Sequence, residues 1–170
     1  MPELLLTHGY FLYEDPKELQ IMKPYAPLGI LYICSHLREK GFDVEVFDTT
    51  FSRRESLFQY LRTEKPSVLG IYANLMTRSN AVEIMQVAGE AGWRVVVGGP
   101  EPGAYAQEYL ESGAEFVVFG EGESTMQELL TAFRSGDHIH GAGWKAKIAG
   151  AAYLDDERKL RQNPPRHQAH

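Results

Sequence analysis

The residues best suited to chemistry are two glycine-and-acid clusters, Gly98-Gly99-Pro100-Glu101 and Gly120-Glu121-Gly122-Glu123. Each ends a short apolar run, Val95–Val97 or Phe116–Phe119, and each opens into a helical pattern. Glycine has no Cβ, so such a cluster leaves the main chain bare for a flat or phosphorylated ligand to lie against. A side chain at Gly98, Gly99, Gly120 or Gly122 would hold that ligand off. Binding, rather than bond breaking, is the chemistry expected, and no catalytic residue is assigned. His8-Gly9-Tyr10, Asp48-Thr49 and Asn74-Leu75-Met76-Thr77 end other apolar runs and belong to the same edge. A lone histidine such as His8 is commonly just a hydrogen-bonded loop residue, and Asn74 could equally cap a turn. No metal-ligand spacing is found: histidines 138, 140, 167 and 170 fit none, and Cys34 sits at helical spacing as a core residue.

The elements that must position these clusters alternate. Glu3–Thr7 reads as a first buried strand, followed by a long loop from Tyr10 to Pro27 with prolines at 16, 24 and 27. Loops of that length are uncommon in compact domains and often functional. Its cluster Tyr10-Phe11-Leu12-Tyr13 looks exposed, placed to cover a ligand or meet a partner, or else to pack locally. Pro27 opens a helix that Arg38-Glu39-Lys40-Gly41 closes with cations and a glycine stop. Phe42–Phe47 alternates as strand two. Ser52, with Glu55 three residues on, reads as the capping box of a helix Arg53–Glu64. Val68–Ala73 is strand three. Thr77 or Ser79 caps a helix carrying Val82, Met85, Val87 and Ala88, which stops at Gly89–Gly92. Arg94–Val97 is strand four, Tyr105–Leu110 a helix core, Phe116–Phe119 strand five and Thr125–Phe133 the fifth helix. Five strands alternating with five helices predict an α/β fold: a doubly wound parallel sheet, flavodoxin-like or Rossmann-like, in the order 2-1-3-4-5. Ile148–Leu154, Asp155-Asp156-Glu157 and Lys159–Gln162 form a C-terminal β-hairpin, which divides the chain into a domain of residues 1–136 and a hairpin-and-linker of 137–170.

Composition narrows the function classes. A chain of 170 residues suits one domain of this size. Net charge −6 argues against a nucleic-acid partner, since no excess of cations exists to displace phosphate counterions. No apolar run approaches a membrane span, and MPELLLTHG is too short for a signal peptide, so a cytoplasmic protein is expected. Cys34 alone can form neither an internal disulfide nor an iron–sulfur site.

In an open α/β sheet the ligand sits outside the carboxyl ends of the strands. A dinucleotide site needs G-x-G-x-x-G after the first strand, and HGYFLYEDP lacks it. A receiver domain would need acids after strands one and three and a lysine after strand five, and a flavodoxin a Ser/Thr-rich loop after strand one. None of these is present.

The runs PYAPLGILYICSHLREKGFDVEVFD, PSVLGIYANLMTRSN, VVVGGPEP and FVVFGEGESTMQEL, in that order, resemble the cobalamin (vitamin B12)-binding domain preceding the catalytic domain of many radical S-adenosylmethionine enzymes. The resemblance covers Leu4 to Leu130, and IAGAAYLDDERKLRQNPPR looks like the hairpin and linker leading into the radical domain. It implies a corrin over the strand ends and a nucleotide tail in a slot beside strands one and three. Gly98-Gly99 let the tail pass, and backbone near Leu75–Thr77 and Gly120–Glu123 meets amides and ribose. The implied cofactor-binding set is His8, Gly9, Tyr10, Tyr25, Ala26, Pro27, Leu28, Asn74, Leu75, Met76, Thr77, Gly98, Gly99, Pro100, Glu101, Gly120, Glu121, Gly122 and Glu123. One departure stands out. Related domains carry D-x-H-x-x-G, whose histidine ligates cobalt; with Gly29 as the final glycine, Pro24 and Ala26 occupy the acid and histidine positions. The resemblance therefore implies cobalt with no protein imidazole beneath it, its face near Tyr25–Leu28. It implies a methyltransferase whose S-adenosylmethionine and 4Fe-4S cluster bind a downstream catalytic domain in cis, because CxxxCxxC is absent here. That enzyme would take a small-molecule substrate. Two other readings remain open: a free-standing α/β enzyme binding a nucleotide or sugar-phosphate, or a degenerate domain that has lost cobalamin and filled the slot with its own side chains.

Overall fold

The computed structural model describes residues 2–17, 27–136 and 141–166. Within them lie β1 (Leu4–His8), α1 (Leu28–Glu39), β2 (Val44–Phe47), α2 (Arg54–Thr63), β3 (Val68–Tyr72), α3 (Arg78–Glu90) and β4 (Arg94–Gly98). There follow α4 (Pro100–Ala104), α5 (Ala106–Glu111), β5 (Phe116–Val118), α6 (Glu123–Ser135), β6 (Ala151–Leu154) and β7 (Leu160–Gln162). The sheet order is β2-β1-β3-β4-β5-β6-β7. β1 to β5 pair in parallel, as the alternation predicts, and β6 and β7 extend the same sheet antiparallel.

Burial on both faces accounts for the near-continuous apolar strands. On one face Leu5, Leu69, Ile71, Val95, Val97 and Val117 pack under α2, α3 and α5. On the other, Leu4, Leu6, Val68, Val96, Phe116 and Val118 pack under α1 and α6. The chain moves from β1 outward to β2, then back across β1 to β3, so the sheet has its switch point at β1–β3, where doubly wound folds open a crevice.

Local details differ from expectation in three places. Ser52 does not cap α2: Arg53 holds the N-cap position with no side-chain bond there, and Ser52 lies one residue earlier, its N–H turned to the Thr49 carbonyl. The helix core expected at Tyr105–Leu110 forms as α5, but a separate short helix, α4, precedes it, the two parted where Tyr105 leaves helical geometry (φ −126°, ψ 45°). In the aromatic cluster, Phe11 and Leu12 are buried rather than exposed. The Leu12 N–H donates to the Thr50 carbonyl (3.0 Å), and the Arg54 guanidinium lies over the Phe11 ring (5.5 Å). Only Tyr13 of that pair of tyrosines is clearly exposed.

The hairpin forms as read. Its turn is organised by Asp155, whose carboxylate accepts from the Glu157 and Lys159 N–H groups (2.9 Å each) and from Arg161 (2.8 Å). These contacts hold the Asp155 carboxyl below its ordinary value, the Lys159 N–H foremost. β6 covers the edge of β5 with Ala151 and Ala152, both fully buried. Two reversals leave β7 running the same way as β5. Beyond it the Pro164 carbonyl accepts from Gly150 N–H (2.9 Å), and Arg166 reaches Thr125 Oγ1 (2.9 Å) and Glu128 (2.6 Å) on the first turns of α6.

Candidate cofactor-binding site

An opening lies over the sheet on its α1/α6 face. It is a cavity of about 390 Å³, within the range of small-molecule sites. Its floor is Leu6 of β1, Gly70 of β3, Val96 and Gly98 of β4 and Val118 of β5; its walls are Gly29, Ile30 and Ile33 of α1 and Met126 of α6. The mouth carries Tyr72, Gly99, Pro100, Gly120, Glu121, Gly122 and Glu123.

The slot exists because of what the sequence withholds. Residues of even number on β3 and β4 face α1 and α6, and two of them are glycine, Gly70 and Gly98. A Cβ at Gly98 would rest at ordinary contact, 3.6 Å from the Val118 carbonyl, so nothing in the fold forbids a side chain there. At Gly29 a Cβ would meet nothing within 4 Å. Gly99 differs: with φ +119° and a Cβ only 2.2 Å from the Ala73 carbonyl, it is glycine because two backbones touch. α1 and α6 meet where His36 Nε2 and Gln127 Oε1 lie 3.0 Å apart.

Of the expected set, the structure gathers Gly98, Gly99, Pro100, Gly120, Glu121, Gly122 and Glu123 around this slot. Pro27 and Leu28 stand at the start of α1, next to the wall residue Gly29, and Leu28 is exposed. Tyr25 and Ala26 lie outside the described residues. Asn74 caps the 3-10 turn Leu75–Thr77, accepting the Thr77 N–H (3.0 Å), while its own N–H donates to Thr77 Oγ1 (3.1 Å). That fixes Leu75 and Met76 as 73% and 87% exposed apolar residues just past the end of β3. Thr77 occupies the N-cap position of α3, but its hydroxyl serves Asn74 rather than the helix.

His8, Gly9, Tyr10 and Glu101 are engaged elsewhere. His8 is buried. Its Nδ1 accepts the Tyr10 N–H (3.2 Å), so the proton sits on Nε2 and is donated to Asp48 (2.8 Å). The Thr49 hydroxyl closes the group against the carbonyls of His8 (2.9 Å) and Tyr10 (2.7 Å). Burial works against Asp48 ionising, but the Thr50 hydroxyl and N–H, with His8, outweigh it and lower its pKa. Gly9 packs against the start of α3, where Asn80 donates to its carbonyl (2.8 Å). Glu101 turns its buried carboxylate to Arg78 and to the Tyr109 hydroxyl, and Arg78 also covers the Tyr105 ring (4.9 Å). Burial, then the bond to Glu101, pushes the Tyr109 phenol up to about 12.

Sequence reading missed the inner lining. Ile30, Ile33, Val96, Val118 and Met126 look like any core residues in sequence, and Gly29 like an ordinary helix glycine. Gly70 did carry a signal: a glycine inside a strand marks a bulge or a close approach.

A corrin with a base-bearing tail needs an apolar slot for the base, bare backbone at its entrance and an apolar shelf for the ring. The slot, its glycines, and exposed Leu28, Leu75 and Met76 meet all three needs. No side chain of the described residues fills it. Among the described residues no imidazole lines it and no three His, Cys, Asp or Glu side chains converge. Among the described residues the lining has two carboxylates and no cation, which disfavours a ligand bearing several phosphates. No described helix is long and apolar enough to cross a membrane.

Comparison with known proteins agrees with this geometry. The uncharacterized methyltransferase PH0819 of Pyrococcus horikoshii is 30% identical over 149 residues, 82% of this chain and 30% of that protein. Two solved structures of OxsB, a cobalamin-dependent S-adenosylmethionine radical enzyme, share the fold at 18% identity over 99% of this chain and 23% of theirs. Their TM-scores are 0.80 with aqua-cobalamin bound and 0.78 with aqua-cobalamin and S-adenosylmethionine bound. The chain therefore spans about 30% or less of the length of these proteins. The family described as B12 binding domain matches residues 21–130, most of the chain, and to that family this protein belongs.

Proposed function

We propose that this chain is the cobalamin-holding module of a radical S-adenosylmethionine methyltransferase. Its carrying observation is the apolar slot that opens at the carboxyl ends of β1, β3, β4 and β5. When bound, cobalamin supplies methyl transfer through its cobalt, chemistry that belongs to the cofactor. The chain's own residues hold and orient. Leu6, Ile30, Ile33, Val96 and Val118 take the apolar base, Gly98 leaves it passage, and Glu121 and Glu123 accept hydrogen bonds from ribose hydroxyls and side-chain amides. Leu28, Leu75 and Met76 support the ring. Among the described residues no imidazole lines the slot, and both His8 nitrogens are taken.

S-adenosylmethionine and the 4Fe-4S cluster belong, on this reading, to a catalytic domain joined in cis through residues 137–170, in a cytoplasmic enzyme acting on a small molecule. The partial coverage of PH0819 and OxsB supports that arrangement.

The test is retention. Purified protein mixed with hydroxocobalamin and freed of unbound material should keep corrin absorbance; a colourless protein would reject the reading. After reduction to the Co(II) form, its paramagnetic resonance spectrum should lack the nitrogen splitting of a protein imidazole ligand.

A further inference from the structure

We propose that the slot selects among cobamides by their lower base, accepting a benzimidazole and rejecting a purine. This rests on the cobalamin reading above and adds a specificity to it. The innermost walls are Leu6, Ile30, Ile33, Val96 and Val118, none of which carries a hydrogen-bonding side chain. The floor's backbone gives no help, because it is consumed in the parallel ladder, with Leu6 opposite Gly70 and Gly70 opposite Val96. Among the described residues, polar side chains line it only at the mouth: Tyr72 and Glu121 are exposed and Glu123 half-buried.

A benzimidazole places an unfunctionalised benzene ring in such a slot. Adenine places two ring nitrogens and an exocyclic amine there instead. Buried without partners, these groups lose their water and gain nothing. One or two such losses predict binding roughly tenfold or more weaker.

Dialysis equilibrium followed by corrin absorbance compares three probes: cobalamin, its adenine-bearing analogue, and cobinamide, which lacks the nucleotide altogether. Cobalamin should bind most tightly, with the adenine form at least about tenfold weaker and close to cobinamide. Cobalamin and the adenine form binding alike would overturn the selection while leaving the cobalamin reading intact. No binding of any probe would remove both. Two variants locate the effect. Val118→Thr is nearly isosteric and brings a hydroxyl into the slot; it should narrow the preference for cobalamin, and an unchanged ratio in folded protein would overturn the assignment to these walls. Gly98→Leu has space for its Cβ and no positive φ to strain, so its side chain should fill the slot and drop cobalamin to the level of cobinamide. Undiminished cobalamin binding by that variant would also overturn the proposal.

Discussion

Tyr109 and Glu101 show what one buried contact does for the ligand edge. Their hydrogen bond, with the Arg78 ion pair, ties α4 and α5 to the start of α3. Tyr109→Phe would leave a buried carboxylate short of one donor, and urea unfolding should register a loss of about 1–3 kcal/mol. Asp48 supplies an acid-sensitive contact. Because its folded pKa is lowered, its stabilising effect is full above the ordinary carboxylate value of 3.8 and is lost as pH falls through the folded value. Asp48→Asn should therefore unfold with a shallower dependence on pH below about 4 than the parent protein. Equal slopes would mean that other carboxylates carry the acid response.

Between elements, the close approach of β3 and β4 at their ends sets the mouth of the slot. Gly99→Ala must overlap the Ala73 carbonyl and hold a positive φ, so it should cost about 3 kcal/mol or more. Gly98→Ala, one residue away, should stay within about 1 kcal/mol. Similar losses for the two would show that the backbone contact is not the constraint. This pair also marks what sequence reveals. The strand order and the glycines at the mouth were legible because βα alternation and terminal glycines have few other uses. The slot's interior was not, since Ile33 or Val118 reads identically whether a helix or a ligand covers it. Only the way α1 and α6 pack over the sheet decides that. Phe11 was misread for the opposite reason: an aromatic in a long loop looks exposed until Arg54 is seen stacked on it, joined to Glu14 at 3.0 Å.

The whole molecule links binding to folding. A ligand seated between α1, α6 and the sheet binds only the folded chain, so cobalamin at a hundred times its dissociation constant should add about 2.7 kcal/mol of stability. For a chain of 170 residues that corresponds to a rise in Tm of roughly 5–11 °C, readable by scanning calorimetry. Gly98→Leu should shrink the shift at the same ligand concentration while folding normally.

The doubled-back hairpin also decides at which end of the sheet the last described residues lie. Had the chain added one more strand instead of two, it would have emerged beneath the platform, and a follower would have to climb around its rim. With two, Arg166 is delivered beside the first turn of α6, close to the entrance. On the proposed function, a catalytic domain joined in cis would begin on the same side as the slot's mouth.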